Sequence, residues 1–517
     1  MLASATEFRR TAQGFATLAC VMLLHACALA PAQTQDIASH AWPKSESGRL
    51  QIYGDRIESD LAAEESAYWL LDKSTKAMNA RLAITDEATS TLDVQYFIWE
   101  NDASSHMLIS RLIHAADRGV RVRLLLDDLT IAAKENVVAS LDKHPMIEVR
   151  TFNPWKLRPR LARVIEFLMR PGDLNHRMHN KTYIADSRFA MIGGRNIGDR
   201  YFGLYDEFVQ NDLDIMAAGH IVDDVSESFD LFWNSTESYP VTDLVSRRNQ
   251  RESVQELASW LHRSYLAESE RLASFPLEPT QWDDYLDTLT KTYAVGMSEF
   301  EYDLPSIDDE QPDQMYAPLI DFIARARDEV VISSPYFIPD EEFFEMLVSL
   351  IARGVRVVIL TNSLASNNHT IAHSAYKGWR KELLDHGIEI YEFRWDAEVV
   401  AYYGTPPVSP DWVGLHSKAA VIDNRWSFVG SPNVDPRSLV LNTEVGLFID
   451  SEELAARLGA LLKRDLLPEN AWRLSQDDRG RLQWTNSDGT VQRQPARGLK
   501  HRIIEFFLNL LPIKDQT

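Results

Sequence analysis

The chain has 517 residues, 45% of them hydrophobic and 25% charged, so it can bury a large core and form two or three domains. Its formal net charge of -23 argues against broad nucleic-acid binding, which needs Lys and Arg to displace counterions from phosphates. The two cysteines, Cys20 and Cys27, both lie near the N-terminus, which excludes disulfides, cysteine catalysis and a zinc-thiolate site from the body of the protein.

Residues 1–32 have the pattern of an export signal, in which two arginines precede an apolar run over residues 14–30. The run is shorter than the ~20 residues of a comfortable membrane span, which favours a cleaved signal over a permanent anchor. Residues 24–27 also resemble a bacterial lipoprotein box, in which Cys27 would carry the lipid; otherwise Cys27 is a small apolar residue of the signal. The expected location is the periplasmic side of a bacterial membrane, in association with that membrane.

A strand, a helix and a second strand follow one another twice along the chain. Aromatic and β-branched runs and helical apolar spacing predict the first set at 92–99, 105–118 and 120–126. The same patterns predict the second set at 330–338, 341–353 and 355–360. Three landmarks recur at offsets of 240, 235 and 237 residues, namely Tyr96 with Tyr336, Arg118 with Arg353, and His179 with His416. Such constancy indicates a duplication of a large unit.

The duplication predicts an α/β fold with two α-β-α sandwich halves, each with a mixed β-sheet between helices. The segment between the halves is too apolar for a free linker and has helical stretches such as 253–271, so it is expected to pack on them. The predicted organisation is a signal (1–32), an N-terminal linker (33–65), a first half (66–235), a helical and acidic connector (236–315), a second half (316–475) and a C-terminal tail (476–517).

Each half contains the pattern His-x-Lys, followed after four residues by Asp and then by Gly and Asn. The two copies are His179, Lys181, Asp186 and Asn196, and His416, Lys418, Asp423 and Asn433. Side chains two residues apart on a strand point to the same face, so the imidazole and ammonium of each copy are predicted to face one pocket. A lone His-x-Lys pair would indicate only a core-edge His beside a surface Lys, but two full copies within a duplication make coincidence negligible.

This double pattern resembles the phospholipase D superfamily, and its surroundings are similar to the bacterial cardiolipin synthase group, C-type members especially. The similar segments are Tyr183, 193–199, 360–366 and 430–438, and the resemblance extends over about residues 67–511. It implies a phospholipase D-like fold with pseudo-two-fold related halves, and transfer of a phosphatidyl group through a phosphohistidine. Ser417 stands where the family more often has Ala, with little expected effect.

The chemistry agrees with this resemblance. A phosphodiester anion resists attack, so exchange through a covalent intermediate lowers each barrier. A neutral imidazole is a suitable nucleophile, and an imidazolium can protonate the departing alkoxide and later deprotonate the incoming alcohol. The resemblance implies that His179 is the nucleophile and His416 the acid/base, although the residues alone leave the two exchangeable. The groups expected to hold the phosphate oxygens are Lys181, Lys418, Asn196, Asn433 and Ser431.

Carboxylates are expected behind both imidazoles, at Asp212 and Glu444. By analogy with the superfamily they cross over, each serving the histidine of the other half. Asp186 and Asp423 are candidates for a catalytic role and equally for a structural one, because they lie five residues beyond the lysines. No metal or other cofactor is predicted, since a lysine beside each histidine would repel a cation.

Two segments have open interpretations. Residues 156–170 combine basic and apolar side chains, which would suit either an anionic lipid surface or a helix packed on the first half. The apolar segment 502–513 either docks on the core or lies in a membrane interface.

The leading functional interpretation is phosphatidyl transfer to the hydroxyl of another phospholipid, with phosphatidylglycerol as the expected acceptor and cardiolipin as the product. Its partners would be phospholipids and a membrane surface, not nucleic acid. A hydrolase that releases phosphatidic acid is the alternative with the same mechanism. A nuclease is disfavoured by the acidic charge and the export segment, and a scaffold with a relic site is disfavoured by two intact motifs.

Overall fold

The computed structural model describes residues 38–131, 135–158, 171–245, 253–306, 314–367 and 370–498, together with residues 162, 163, 166 and 169. The predicted signal with its lipoprotein cysteine, most of the stretch 156–170 and the apolar segment 502–513 lie outside the described residues. Within the described ranges, no helix combines the length and the apolar character needed to cross a membrane.

The first half alternates helices with strands. Its helices are α1 (Arg49–Glu58), α2 (Ser74–Glu87), α3 (Ala103–Asp117), α4 (Asp128–Ile131), α5 (Glu135–Leu141), α6 (Pro171–Asn175) and α7 (Ile221–Trp233). Its strands are β1 (Glu65–Leu71), β2 (Thr91–Tyr96), β3 (Arg121–Asp127), β4 (Ile147–Phe152), β5 (Arg177–Met178), β6 (Thr182–Ala185), β7 (Phe189–Gly193), β8 (Phe208–Asn211), β9 (Asp214–Gly219) and β10 (Ser238–Pro240). A 3-10 turn covers Asp199–Tyr201.

The connector contains α8 (Val241–Leu244), α9 (Val254–Ala267), α10 (Asp283–Thr292) and β11 (Ala294–Tyr302). The second half has the helices α11 (Tyr316–Ala324), α12 (Glu341–Ala352), α13 (Thr370–Asp385), α14 (Val400–Tyr403) and α15 (Glu452–Asp465), and a π-helical turn at Arg437–Leu441. Its strands are β12 (Glu329–Ser333), β13 (Arg356–Asn362), β14 (Glu389–Phe393), β15 (Trp412–Leu415), β16 (Ala419–Ile422), β17 (Trp426–Gly430), β18 (Asn442–Thr443), β19 (Val445–Asp450), β20 (Ala471–Gln476), β21 (Leu482–Asn486) and β22 (Gly489–Val491).

Both halves have the same mixed sheet, which confirms the predicted α/β duplication. The strand order is β4-β3-β2-β6-β7-β9 in the first half and β14-β13-β12-β16-β17-β19 in the second. The first three strands of each series are parallel and the others antiparallel. Helix α3 joins β2 to β3 and α12 joins β12 to β13, as a parallel strand-helix-strand unit requires.

The connector joins the two sheets into one. Strand β11 pairs antiparallel with β1 on one side and with β19 on the other. Apolar side chains from both halves then share one buried cluster, in which Ile192 and Ile215 pack with Val429 and Leu447. The halves are therefore held together by a continuous sheet and a common core.

The second sheet continues beyond residue 475, the predicted end of the second half. Strand β20 pairs antiparallel with β14, and β21 and β22 extend the sheet further. Residues 482–491, which the sequence assigns to a C-terminal tail, are thus part of this sheet.

The His-x-Lys segments lie between strands, which corrects the prediction of a regular strand. Residues 179–181 link β5 to β6, and residues 416–418 link β15 to β16. Here the chain changes partners, because β5 and β15 pair with β18 and β8 of the other half, whereas β6 and β16 belong to the main sheet. This change of pairing partner depends on the tertiary structure, so the alternation of side chains along one segment of the sequence does not predict it.

Candidate active site

Two short parallel ribbons cross the seam and deliver the site residues. In the β5–β18 ribbon, His179 follows the first strand and Glu444 the second. In the β8–β15 ribbon, Asp212 and His416 stand in the same positions. Each ribbon takes one strand from each half, so each histidine emerges beside a carboxylate of the other half.

The contacts are the crossed ones that the resemblance implies. His179 Nδ1 lies 2.9 and 2.8 Å from the two carboxylate oxygens of Glu444, and His416 Nδ1 lies 2.5 Å from Asp212 Oδ2. All four side chains are buried. A carboxylate on Nδ1 accepts the ring N–H and fixes the tautomer. The Nε2 lone pair of His179 is then available for chemistry, whereas His416 Nε2 lies 3.3 Å from Lys418 Nζ.

Both motif lysines are buried with the histidines. Lys418 Nζ donates to the backbone oxygen of His416 at 2.7 Å, and Lys181 Nζ donates to that of His179. Burial lowers the pKa of Lys181 to about 7 and the pKa of Lys418 to about 8. Removal from water makes these ammonium groups costly to hold as cations and strengthens their attraction for an anion.

The imidazoles are neutral in the free protein. Burial and the charges of Lys181 and Lys418 lower the pKa of His179 well below its usual value. Burial and Lys418 likewise lower the pKa of His416 to about 3, against the opposing influence of Asp212. With both imidazoles neutral, charged lysines would balance the carboxylates of Asp212 and Glu444.

The expected phosphate-binding side chains divide into two kinds. Ser431 Oγ donates to Glu444 Oε2 at 2.5 Å and accepts the N–H of Val445 at 2.9 Å, so it positions the carboxylate instead of presenting a free hydroxyl. Asn196 is also engaged, since its Oδ1 accepts the N–H of Ile98 at 3.0 Å. Asn433 Oδ1, by contrast, is buried without a hydrogen-bond partner among the described residues. An amide oxygen accepts hydrogen bonds, so this atom suits a ligand hydroxyl and not a phosphate oxygen.

One polar group was missed by sequence reasoning. Asn180, the middle residue of the first His-x-Lys, accepts a hydrogen bond from Thr443 Oγ1 at 3.0 Å. Its Nδ2 is buried and has no partner within the described part of the chain. An unsatisfied amide donor between His179 and Lys181 is a further candidate for holding a phosphate oxygen. A polar side chain at the variable position of the motif was the available signal.

The aspartate of each motif copy accepts hydrogen bonds from backbone N–H groups. Asp186 accepts the N–H groups of Thr89, Ser90 and Thr91 at 2.9, 2.7 and 3.0 Å. Asp423 accepts those of Arg327, Asp328 and Glu329, each at 2.9 Å. Both aspartates have left-handed backbone, with φ of 54° and 51°. These contacts fix the starts of β2 and β12, which favours the structural role over the catalytic one.

Two glycines allow neighbouring chain segments to approach closely. A Cβ on Gly193 would lie 2.5 Å from Leu213 O, and a Cβ on Gly194 would overlap Asp212 Oδ1 and lie 3.2 Å from Lys418 Cδ. A side chain on Gly194 would displace Asp212, which holds His416, whereas a side chain on Gly193 would collide with the backbone at the start of β9. The Gly-Gly pair of the first copy is therefore explained by space and not by backbone flexibility.

Aromatic rings cover the two imidazoles. Phe97 packs edge-on against His179, with ring centroids 4.9 Å apart, and Tyr201 packs against His416 at 5.4 Å. Both rings limit how the imidazoles can turn. Among the described residues, no group of three or more His, Cys, Asp or Glu side chains is arranged to hold a metal ion.

A family model described as "Cardiolipin synthase, PLD-like domain" matches residues 82–233 and again residues 319–466. Cardiolipin synthase C of Escherichia coli (strain K12) is 34% identical over 459 residues, which cover 86% of this chain and 94% of the relative. The chain belongs to this family. The two matched segments, one in each half, confirm the phospholipase D-like resemblance and show an enzyme of the phosphatidyltransferase type.

Other members of the cardiolipin synthase family are similar at lower identity. Cardiolipin synthase B of Escherichia coli (strain K12) is 25% identical over 419 residues, which cover 78% of this chain and 84% of the relative. Among solved structures, phosphatidylserine synthase of Haemophilus influenzae Rd KW20 superposes with a TM-score of 0.53 at 13% identity, over 80% of this chain and 90% of that one. This last likeness supports the fold.

Proposed function

We propose that this enzyme transfers a phosphatidyl group from one phospholipid to the hydroxyl of phosphatidylglycerol and so makes cardiolipin. The observation that carries the proposal is the pair of crossed ribbons, in which each histidine has its carboxylate in the other half. Neither half alone holds a complete set of groups, so one site at the seam would use both. The family of synthases to which the chain belongs supports the same reaction.

In the first step, His179 Nε2 attacks the phosphorus while Glu444 accepts the N–H of Nδ1. The P–N bond forms as the bond from phosphorus to the departing alcohol oxygen breaks, and His416 donates a proton to that oxygen. Lys181 and Lys418 stabilise the negative charge on the nonbridging oxygens. The product of this step is a phosphatidyl-histidine and a free alcohol.

His416 must carry a proton for this step, although it is neutral in the free enzyme. A phosphodiester that binds beside the lysines brings one negative charge close to His416. This charge raises the pKa of the nearby imidazole, because burial strengthens the attraction between opposite charges. Substrate binding is therefore expected to be coupled to uptake of a proton by His416.

In the second step, His416 removes the proton from the incoming hydroxyl. The alkoxide attacks phosphorus, the P–N bond breaks, and the lone pair returns to His179. The second step is the reverse of the first with a different alcohol, so the same groups act in both. Water in place of the lipid alcohol would give phosphatidic acid.

We further propose that the mature protein acts at the periplasmic side of the membrane. The support is the signal pattern of residues 1–32, and the lipid-modified form would begin at Cys27. The mass of the N-terminal peptide of the protein isolated from membranes tests this. A diacylglyceryl-modified Cys27 supports the lipoprotein, and an unprocessed N-terminus contradicts cleavage.

Mass spectrometry of products from mixed phospholipid vesicles tests the reaction. Cardiolipin formed by the wild type and lost in His179→Ala is expected. Phosphatidic acid as the sole lipid product would contradict the synthase and support the hydrolase, and cleaved DNA without lipid turnover would support a nuclease. Rapid quenching with a labelled donor should trap the label on a peptide containing His179, and label on His416 would reverse the two roles.

A further inference from the structure

The two motif copies correspond beyond their catalytic residues. Asn196 Nδ2 donates to Tyr201 OH, and Asn433 Nδ2 donates to Ser438 Oγ, each at 3.3 Å. The offset of 237 residues that relates the histidines also relates these pairs. Arg200 and Arg437, which precede Tyr201 and Ser438, are therefore structural equivalents.

The equivalent arginines differ in charge compensation. Arg200 forms an ion pair with Glu100 Oε1 at 2.6 Å and lies over the ring of Phe208. Arg437 donates instead to Asn175, at 2.6 Å to Oδ1 and 2.9 Å to the backbone oxygen, and to Asn442 Oδ1 at 3.3 Å. In the portion of the chain that the structure describes, Arg437 forms no ion pair with a carboxylate.

Arg437 joins the end of α6 to β18, next to the ribbon that carries His179. Asn175 stands four residues before His179, and Asn442 stands two residues before Glu444. The positive charge of Arg437 contributes to the lowered pKa of His179, which places the guanidinium within electrostatic reach of the reacting ring. The side chain is only partly buried, so a ligand at the site can approach it.

Other charged groups in this region are already engaged. Arg177 lies 3.5 Å from Asp127, and Arg158 lies 2.6 Å from Asp128. Asp435 is the carboxylate with the largest influence on Arg437, and it accepts the N–H of Ser438 at 2.8 Å. Arg437 is thus held in place by neutral oxygens and keeps the capacity to bind an anion.

The side of the site near His179 also differs in shape. Tyr201 covers His416 with its ring, whereas the equivalent position beside Glu444 carries the small side chain of Ser438. The side chain that follows Arg437 is therefore smaller than the one that follows Arg200. An arginine without a carboxylate partner and a small neighbouring side chain therefore occur together on one side of the pseudo-two-fold arrangement. Among the described residues, the equivalent arginine on the other side is paired with Glu100 and is followed by a tyrosine.

We propose that Arg437 forms a second anion subsite, which binds the phosphodiester of the acceptor phospholipid. The inference rests on the proposed transfer reaction, because transfer onto an anionic phospholipid brings two phosphates into one cleft. The charges of Lys181 and Lys418 are needed by the reacting phosphate. Among the described residues, Arg437 keeps its Nε–H and one Nη1–H as donors for a second phosphate. Arg437 then favours an acceptor alcohol that carries a phosphodiester over a neutral alcohol.

Two water-soluble acceptors separate this role from membrane binding. Glycerol is neutral, whereas glycerophosphoglycerol, which is deacylated phosphatidylglycerol, carries the same hydroxyls with a phosphodiester. With a short-chain phospholipid donor, Arg437→Gln should lower kcat/KM for glycerophosphoglycerol about tenfold while transfer to glycerol stays unchanged. Arg437→Lys should restore part of the preference, and Arg200→Gln, the matched control, should keep it.

An unchanged preference in Arg437→Gln would overturn the proposal. Equal losses for both acceptors with a lower unfolding midpoint would do so as well, because they would make Arg437 a structural link between α6 and β18. If inorganic phosphate were bound through Arg437 while acceptor preference did not change, the site would serve free phosphate and the proposal would fail.

Failure of the proposed function has a different result. If the wild type transferred to neither acceptor and hydrolysed no phosphodiester, the proposed transfer reaction would be contradicted. Calorimetric titration with glycerophosphoglycerol would then test the subsite by itself. Binding about tenfold weaker in Arg437→Gln than in the wild type would support it, and equal binding would refute it.

Discussion

Replacing Asp186 with Ala should destabilise the protein strongly and leave the chemical step intact. The carboxylate is buried and accepts three backbone N–H groups at 2.7–3.0 Å at the start of β2. Charged hydrogen bonds contribute about 1.5–3 kcal/mol each, but two of these N–H groups are near enough to the surface for water to replace part of the loss. We therefore expect about 3 kcal/mol from the hydrogen bonds.

The backbone adds to this cost. Asp186 has a φ of 54°, and an Ala in the left-handed region costs about 1 kcal/mol more than an Asp or Asn, whose side chains can hydrogen-bond locally. The expected total for Asp186→Ala is about 4 kcal/mol. Asp423→Ala is the matched control, and it should cost about 2 kcal/mol because its partners Arg327 and Asp328 are exposed. Asp186→Asn should lower the free energy of unfolding by less than Asp186→Ala does.

Urea unfolding followed by tryptophan fluorescence measures the stability, and turnover of a short-chain phospholipid at low temperature measures the chemistry. We expect the lowest unfolding midpoint for Asp186→Ala, an intermediate one for Asp423→Ala and the highest for the wild type. In the folded variants, kcat should stay within a few-fold of the wild-type value. A wild-type midpoint combined with lost turnover in Asp186→Ala would refute this reasoning and restore the catalytic role.

The remaining predictions concern the site itself. Glu444→Gln and Asp212→Asn should each lower kcat by about 10³–10⁴ without lowering the unfolding midpoint, and unchanged kcat values would show that these carboxylates do not orient the histidines. The value of kcat/KM should fall as pH rises through about 7 to 8, because the two motif lysines lose their charge there in the free enzyme. A flat profile between pH 6 and 9 would contradict this prediction. Gly194→Ala should abolish turnover because the new Cβ overlaps Asp212 Oδ1. The control Gly378→Ala, whose Cβ meets nothing within 4 Å, should keep its turnover. Equal activities of the two variants would show that the site has more room.

The duplication and the motif could be predicted from the sequence because both depend on residues that are close together in the chain. The strand-helix-strand units and the constant offset between His179 and His416 depend on side chains close together in the chain. The observed sheets have the same strand order in both halves for this reason. The crossed carboxylates were expected from family resemblance alone, since no local pattern relates Glu444 to His179.

Other features depend on the approach of distant segments. Strand β11 lies in a connector predicted as helical and acidic, and it forms because β1 and β19 both offer an open edge to it. Ser431 was expected to bind phosphate, but its hydroxyl is directed to Glu444, thirteen residues away. Arg437 meets Asn175 across 262 residues, so its lack of a carboxylate partner is visible only in the folded chain.

The most direct test of the central claim, one site shared by two motif copies, is the turnover of three variants. Single changes His179→Ala and His416→Ala and the double variant are compared on one phospholipid donor, with unfolding midpoints as the control for folding. If both histidines act in one site, each single variant should fall to the same residual rate as the double variant, because removing either partner stops the same cycle. If each copy worked alone, each single variant would keep roughly half of the wild-type rate and only the double variant would be inactive, which would contradict the shared site.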